Sequence, residues 1–97
     1  MTPLLFTPAA RGDLDTIWRY TAEIWGVDQA DSYIRAITTT CEGVAQGTRP
    51  SQSADHIRAG YRKVASGRHV IFFRQPGAPL EVVRILHQRM DITDQLG

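Results

Sequence analysis

The strongest constraint on the fold is the apolar run Val-Ile-Phe-Phe at residues 70–73, which has no polar face. Such a strand needs cover on both faces, or cover on one face and strong twist on the other. Ser-Gly-Arg at residues 66–68 predicts a tight turn before it, and the two prolines and glycine of residues 75–79 predict another turn after it. We therefore predict that residues 69–74 form the central strand of a sheet and residues 80–87 the next strand.

Two amphipathic helices are predicted in the first half of the chain, because apolar residues recur there at spacings of three and four. The first covers residues 8–25, with Thr7 as its side-chain cap and Gly26 at its end. The second is capped by Gly26 or Asp28 and extends to Gly47. The apolar stripe of the first helix is Ala10, Leu14, Ile17, Trp18, Thr21, Ile24 and Trp25. That of the second helix is Ala30, Tyr33, Ile34, Ile37, Cys41, Val44 and Ala45.

The short connection between these helices predicts an antiparallel αα-hairpin, and Leu-Leu-Phe at residues 4–6 predicts an edge strand before it. The prediction is an α+β fold, with an N-terminal strand and an αα-hairpin packed on a small twisted antiparallel sheet in the order β-α-α-β-β-β. Residues 1–97 are expected to form one domain. The irregular residues 47–59 are interpreted as a crossover, although loops of this length are often functional. The expected single core contains Leu14, Ile17, Ile34, Ile37, Cys41 and Phe72.

Composition argues against several classes of protein. Residues 1–4 lack the features of a signal peptide, and no run approaches the ~20 apolar residues of a membrane-spanning helix, so we expect a cytoplasmic protein without a membrane partner. One cysteine excludes an intrachain disulfide, and three scattered histidines give no metal-ligand spacing. We therefore expect no metal and no cofactor. Cys41 is in phase with its helix stripe and is interpreted as a core residue.

The charge is divided between the two halves of the chain. Residues 1–47 hold three basic and six acidic side chains, a net charge of −3, whereas residues 48–97 hold eight basic and four acidic ones, a net charge of +4. Ten of the eleven basic residues are arginine, which suits bidentate binding of carboxylate or phosphate. The second half therefore suits an acidic partner, either a peptide or nucleic acid, while a solvated face without a partner stays open.

The main candidate site is Arg-Ile-Leu-His-Gln-Arg-Met-Asp at residues 84–91, where charged side chains leave the end of one strand together. If Arg84 and His87 meet at the surface, the histidine would transfer a proton and the arginine would stabilise charge on a phosphodiester. The same residues would also form a basic protein-binding edge. Met90 is interpreted as covering the sheet edge, and Asp91 as capping a last turn or pairing with an arginine.

Other candidate residues have competing structural interpretations. Trp18 and Trp25 are expected to pack in the core or within the hairpin, although one of them could instead anchor a partner on an exposed groove. His69 begins a strand and is interpreted as structural. Arg62 and Lys63 either bind phosphate or lie on the solvated side of a strand.

The sequence resembles ParE-type toxins of the RelE/ParE superfamily, the stable half of bacterial type II toxin–antitoxin pairs. The resemblance extends over nearly the whole chain, and its most specific part is Leu-His-x-Arg-Met-Asp at residues 86–91. The family fold has two helices on a twisted antiparallel sheet, in agreement with the prediction above. The matching stretches are residues 6–10, 13–18, 25–26, 29–30, 33, 60–62, 69–74 and 82–91.

The resemblance implies that the protein binds DNA gyrase and blocks replication by stabilising the cleaved-DNA state, and that a ParD-like antitoxin neutralises it. Direct binding of nucleic acid stays open. The residues assigned to target binding are Arg84, His87, Arg89, Met90 and Asp91. The residues assigned to antitoxin binding are Trp18, Trp25, Arg58, Arg62 and Arg74.

Two alternatives to gyrase inhibition remain open. RelE relatives cut messenger RNA on the ribosome with lysine, arginine and a late tyrosine, whereas this chain has one lysine and no tyrosine after Tyr61. Some nuclease relatives use a C-terminal histidine and an arginine. A metal-independent nuclease of that kind would here use His87, Arg84, Arg62 and Lys63, while a gyrase inhibitor needs no catalytic residue. The other alternative is a non-toxic binding module.

Overall fold

The computed structural model describes residues 3–75 and 79–90, which form two helices and a five-stranded sheet. The α+β prediction is confirmed, whereas most of the turn predicted at residues 75–79 and the role predicted for Asp91 lie outside the described residues. The elements in chain order are β1 (Leu4–Phe6), α1 (Pro8–Trp25), α2 (Val27–Gln46), β2 (Gln52–Ser53), β3 (Arg62–Ser66), β4 (His69–Arg74) and β5 (Leu80–His87).

The ends of the two helices follow from their capping residues. The hydroxyl of Thr7 accepts the backbone N–H of Ala10 at 3.1 Å, which caps α1 as predicted. Gly26 has a φ of 95°, a conformation that glycine adopts easily, and this allows α2 to begin one residue after α1 ends. The indole Nε1 of Trp18 donates to Oδ1 of Asp31 at 2.9 Å and so joins the two helices of the hairpin.

The strands lie in the order β1-β5-β4-β3-β2, so the predicted central position of β4 and edge position of β1 are confirmed. The four strands from β2 to β5 pair antiparallel, but β1 runs parallel to β5, and the sheet is therefore mixed. No hairpin turn fixes the direction of β1 relative to β5, because the helices and three other strands separate them in the chain. The two-residue strand β2 was not predicted; it closes part of the other edge.

The sheet has a core on each face, which corrects the prediction of a single core. On the helix face, Ile37 is fully buried and packs in one cluster with Ile71 and Ile85. Ile17 and Cys41 belong to this cluster, and Leu14 and Ile34 pack against it half-buried. Phe72 lies instead in a second cluster, because successive strand residues point to opposite faces. That cluster contains Ala54, Tyr61, Phe72 and Leu86.

Three residues expected to pack are exposed, and for Trp25 this agrees with the alternative that one tryptophan lies at the surface. Ile24 and Trp25, at the end of α1, are 52% and 71% exposed, although they continue the apolar stripe of that helix. Met90 is 48% exposed and so is not buried against the sheet edge. Periodicity identifies the face of a helix that is buried, but it does not show how far along the helix the neighbouring elements extend.

Candidate functional site

The middle of β5 is held to α1 by a carboxylate that makes three hydrogen bonds. The guanidinium of Arg84 binds Asp13 in a bidentate manner, with Nε–Oδ2 and Nη2–Oδ1 distances of 2.8 Å. Oδ2 of Asp13 also accepts the backbone N–H of Ile85 at 2.9 Å. The hydrogen bonds to Asp13 raise the pKa of Arg84 above its ordinary value, so this arginine stays charged.

The residues at the junction of β1 and α1 are also bonded to β5. Leu80 to Val82 of β5 pair with β1, and the backbone N–H of Thr7 donates to the carbonyl of Val82 at 3.0 Å. The hydroxyl of Thr7 then donates to the carbonyl of Val83 at 2.8 Å. The polar edge of β5 is therefore satisfied by Thr7 and Asp13 beyond the point where β1 ends.

The end of β5 is different, because its histidine meets another histidine. His69, the first residue of β4, pairs with His87, the last residue of β5. Their ring centroids are 5.4 Å apart and the ring planes are 85° apart, an edge-to-face contact. A β-bulge between Phe72 and Phe73 shifts the register by one residue and so brings these two histidines opposite each other.

Both imidazole rings use Nδ1 within the protein. Nδ1 of His69 lies 2.7 Å from the hydroxyl of Tyr33, and this hydroxyl accepts the backbone N–H of Arg68 at 2.9 Å. Nδ1 of His87 accepts the backbone N–H of Arg89 at 3.1 Å. We assign the proton of each neutral ring to Nε2, since Nδ1 acts as the acceptor. Neither Nε2 bonds to any residue in the described part of the chain.

The titration of His69 reflects its position between the helix and its paired histidine. Burial lowers the pKa of His69, and the nearby His87 lowers it further. Asp13 opposes these effects, but it is already bound to Arg84. His69 therefore favours the neutral form, with an Nε2–H group as a donor.

The structure separates the residues that a nuclease would require. Arg84 binds Asp13 and His87 contacts His69, and neither a hydrogen bond nor an ion pair joins Arg84 to His87. Arg62 lies at the start of β3, four residues before the position that pairs with His69, which is roughly 13 Å along the strand. Its guanidinium donates to the hydroxyl and the carbonyl of Ser51, both at 2.8 Å. Lys63 follows Arg62 on β3 and is half-buried.

The residues assigned to antitoxin binding lie in two regions. Trp18 is half-buried and bound to Asp31, whereas Trp25 is exposed at the tip of the hairpin. On the sheet side, Arg74 forms an exposed ion pair with Glu81 at 2.9 Å. Arg58 lies over the ring of Tyr61, 5.8 Å from its centroid, in the segment that covers the second face of the sheet.

The thiol of Cys41 lies in an environment that does not suit a nucleophile. Burial raises the pKa of its thiol to about 12, and the adjacent Glu42 adds to the effect, so the thiol stays protonated and is not a nucleophile.

Across residues 3–75 and 79–90, no three His, Cys, Asp or Glu side chains form a group that could hold a metal ion. The helices of this part of the chain are not long and apolar enough to cross a membrane.

Sequence reasoning noted His87 and Arg89 but missed the contribution of the neighbouring strand. His69 was expected to be structural, and Arg68 was interpreted only as a turn residue. The glycine turn did indicate that both lie at one end of a hairpin. Their position beside His87 also depends on the bulge and on the length of the β4–β5 connection.

The fold defines a small α+β protein with basic residues at one end of its sheet, and comparison with known proteins shows its family. A family profile described as ParE toxin of type II toxin–antitoxin system, parDE, matches residues 4–92. Toxin ParE1 of Caulobacter vibrioides is 42% identical over 97 residues, covering 100% of both chains. Toxin ParE1 of Mycobacterium tuberculosis is 43% identical over 93 residues, with 95% of each chain covered.

More distant relatives show the same similarity. Toxin ParE of Escherichia coli is 33% identical over 98 residues, covering 100% of this chain and 95% of the relative. A solved structure of the chromosomal ParDE TA system from P. aeruginosa has a chain of similar fold, with a TM-score of 0.78 and 21% identity over 90% of this chain and 96% of that one. The protein belongs to the ParE toxin family of type II toxin–antitoxin systems.

Proposed function

We propose that the protein inhibits DNA gyrase, thereby blocking replication, and that a ParD-like antitoxin neutralises it. The observation that carries this proposal is the similarity over its full length to Toxin ParE1 of Caulobacter vibrioides. The geometry gives less support to RNA cleavage, because Arg84 is neutralised by Asp13 and Arg62 is bound to Ser51 away from His87. A gyrase inhibitor needs a complementary surface and no proton transfer.

The proposed target-binding surface is the end of β5 and the residues that follow it. His87 is half-buried, while Arg89 and Met90 are exposed. Asp91, which lies outside the described residues, completes the assignment. Arg84 contributes indirectly in this proposal, because its ion pair with Asp13 fixes β5 against α1 and so positions the residues beyond it.

The test of the target uses purified protein in two assays. One contains gyrase and supercoiled plasmid, and the other contains translating ribosomes and messenger RNA. We expect gyrase–DNA cleavage complexes to accumulate and the message to stay intact. Cut message with unaffected gyrase would replace this proposal with the RelE-like endonuclease. Antitoxin binding with no effect in either assay would indicate the non-toxic binding module.

The proposed antitoxin contributes apolar side chains at the helix hairpin and an extended segment at the β3 edge. The hairpin tip exposes Tyr20, Ile24 and Trp25, which suit the apolar face of an amphipathic helix. At the other edge, β2 pairs with only two residues of β3, and a cleft of about 530 Å³ lies between that edge and α2. Arg49 donates to the carbonyl of Ala65 there, so this edge also has a cation for an acidic segment.

Charge reversal on the sheet side tests this antitoxin surface. Replacing Arg58, Arg62 and Arg74 together with glutamate should slow association and weaken its salt dependence, since opposite charges steer encounter. The matched control replaces the exposed Arg19 and Arg35 of the hairpin with glutamate. Stopped-flow association across a salt series measures the effect, and circular dichroism checks folding. An affinity that is equal for all three proteins at every salt concentration would contradict the proposed role of the sheet-side arginines.

A further inference from the structure

The end of the β4–β5 hairpin presents unused hydrogen-bond donors from two adjacent strands. The Nε2–H groups of His69 and His87 have no partner among the described residues, although the Nδ1 atoms of both rings are bonded within the protein. The edge-to-face contact holds the rings next to each other. Hydrogen bonds to Tyr33 and to the backbone of Arg89 fix their orientation. The two donors are therefore positioned before any ligand arrives.

Two arginines flank the histidine pair. Arg68 precedes His69 and Arg89 follows His87 by two residues, and a bond from the backbone N–H of Gln88 to the carbonyl of Arg68 holds these segments together. Both arginine side chains are exposed, and neither forms an ion pair with a described residue. Guanidinium groups without carboxylate partners are free to bind an anion.

The acidic side chain that acts on His69 is already paired with an arginine. From α1 comes Asp13, which already binds Arg84 of β5, and from α2 comes the neutral hydroxyl of Tyr33. Arg68 in the turn and Arg89 after β5 are exposed and lie next to these histidines in the chain. A bound anion would favour protonation of His69, which burial and the nearby His87 otherwise oppose.

We infer that His69, His87, Arg68 and Arg89 form a binding site for a phosphate group of nucleic acid. Two neighbouring Nε2 donors and two arginines match the several acceptor oxygens of a phosphate. A polyanion with regularly spaced phosphates would engage both arginines at once. The inference rests on the proposed function for its biological setting, since gyrase would present the protein with DNA. It adds His69 and Arg68 to the proposed target-binding surface, as residues that contact this DNA directly.

Direct binding to a fluorescein-labelled DNA duplex tests the site without gyrase. Fluorescence anisotropy at low salt should show affinity falling by up to roughly tenfold from pH 6 to pH 8, because the bound phosphate favours protonation of His69. The double variant His69→Gln and His87→Gln keeps hydrogen-bond donors but does not titrate in this range, so its affinity should not change with pH. The double variant Arg68→Gln and Arg89→Gln should lower the slope of log affinity against log salt by about two.

Matched controls distinguish the site from general attraction. Arg19→Gln with Arg35→Gln removes two exposed arginines of the hairpin and should leave the slope and the pH dependence unchanged. Histidine NMR signals of the wild-type protein, titrated with inorganic phosphate, should shift for both His69 and His87, and the pKa of His69 should rise. These signals would also show whether each variant is folded.

Three outcomes would overturn the inference. The first is a DNA affinity of the wild-type protein that does not depend on pH. The second is an equal salt slope for the site and control variants. The third is an equal affinity for DNA and polyglutamate, which would identify an acidic-peptide site. Failure of the proposed function gives a different result. In that case DNA binding would depend on His69 and His87 as expected, but gyrase would be unaffected by the protein.

Discussion

Polar side chains in the middle of β5 and at its end are in different states. In the middle of the strand, Arg84 is bound by Asp13, and Thr7 and Asp13 satisfy the backbone of the strand edge. At the end of the strand, His87 and the exposed Arg89 that follows it leave donors without partners in the described chain. The middle of the strand therefore holds the fold together, while we propose that its end binds a ligand.

This difference shows that a cluster of basic residues in the sequence does not by itself define a site. Arg84 and Arg89 occur in the same short motif and have the same intrinsic chemistry. Their roles are separated by Asp13, which lies 71 residues from Arg84 in the chain. Changes in the attached part should therefore affect stability, and changes at the open end should affect binding.

The largest expected effect is on the core beneath the attached part of β5. Ile37 is fully buried and packs in one cluster with Ile85, so Ile37→Ala should lower the free energy of unfolding by ~2–5 kcal/mol. Ile24→Ala is the matched control, because Ile24 is a half-exposed isoleucine on the other helix; it should cost less than about 0.5 kcal/mol. Urea unfolding measures both, and similar losses would contradict the assigned helix faces.

The next effect concerns the attachment of β5 to α1. Asp13→Ala removes the partner of both the Arg84 guanidinium and the Ile85 N–H, and should cost about 1–3 kcal/mol. Asp15→Ala removes an exposed carboxylate from the same helix and serves as control. In the Asp13→Ala variant, Arg84→Ala should lower the free energy of unfolding by less than it does in the wild-type protein, since the ion pair is already broken. Strictly additive losses would show that the ion pair contributes nothing to stability.

A smaller effect is the dependence of stability on pH through His69. Its pKa is lowered in the folded protein, so the unfolded chain takes up the proton first as pH falls. The contribution to stability is complete above the ordinary pKa of about 6.5 and is lost as pH falls through the lower folded value. His69→Gln should flatten this part of the stability curve, whereas His56→Gln, at an exposed position, should not. Unfolding between pH 7.5 and 5 that is the same for all three proteins would contradict the assignment.

Much of the fold could be predicted because it depends on local patterns. The apolar stripe of α2, the Thr7 cap, the glycines at both helix ends and the central strand follow from periodicity and capping. The second core could not be predicted as a separate cluster. Its cover comes from residues 54–61, which have no periodic pattern in the sequence.

The candidate site was predicted only in part, because its geometry depends on a register. Without the bulge between Phe72 and Phe73, His69 would pair with Leu86, and His87 would be displaced by one residue. No residue type in the sequence requires a bulge at that position. The binding of Arg84 by Asp13 likewise depends on how α1 lies against β5, which sequence spacing does not determine.

The smallest expected effect separates the two possible roles of His87. As the general acid or base of a nuclease, His87 would be essential, and His87→Gln would reduce activity by ~10²–10⁴-fold. As one of several donors at a binding surface, it is replaced by a glutamine that still donates a hydrogen bond but cannot take up a proton. We therefore expect gyrase inhibition by His87→Gln to stay within about tenfold of the wild-type protein, since charge assistance alone is lost.

His56→Gln is the control for this last change, since it removes a histidine from an exposed position outside the open end of β5. Gyrase cleavage complexes and message cleavage are measured in parallel for the wild-type protein and both variants. A hundredfold loss in His87→Gln, with His56→Gln unaffected and His87→Gln folded by NMR, would mean that proton transfer is part of the activity. The end of β5 at His87 would then be a catalytic site, whereas the part around Arg84 would have a structural role only.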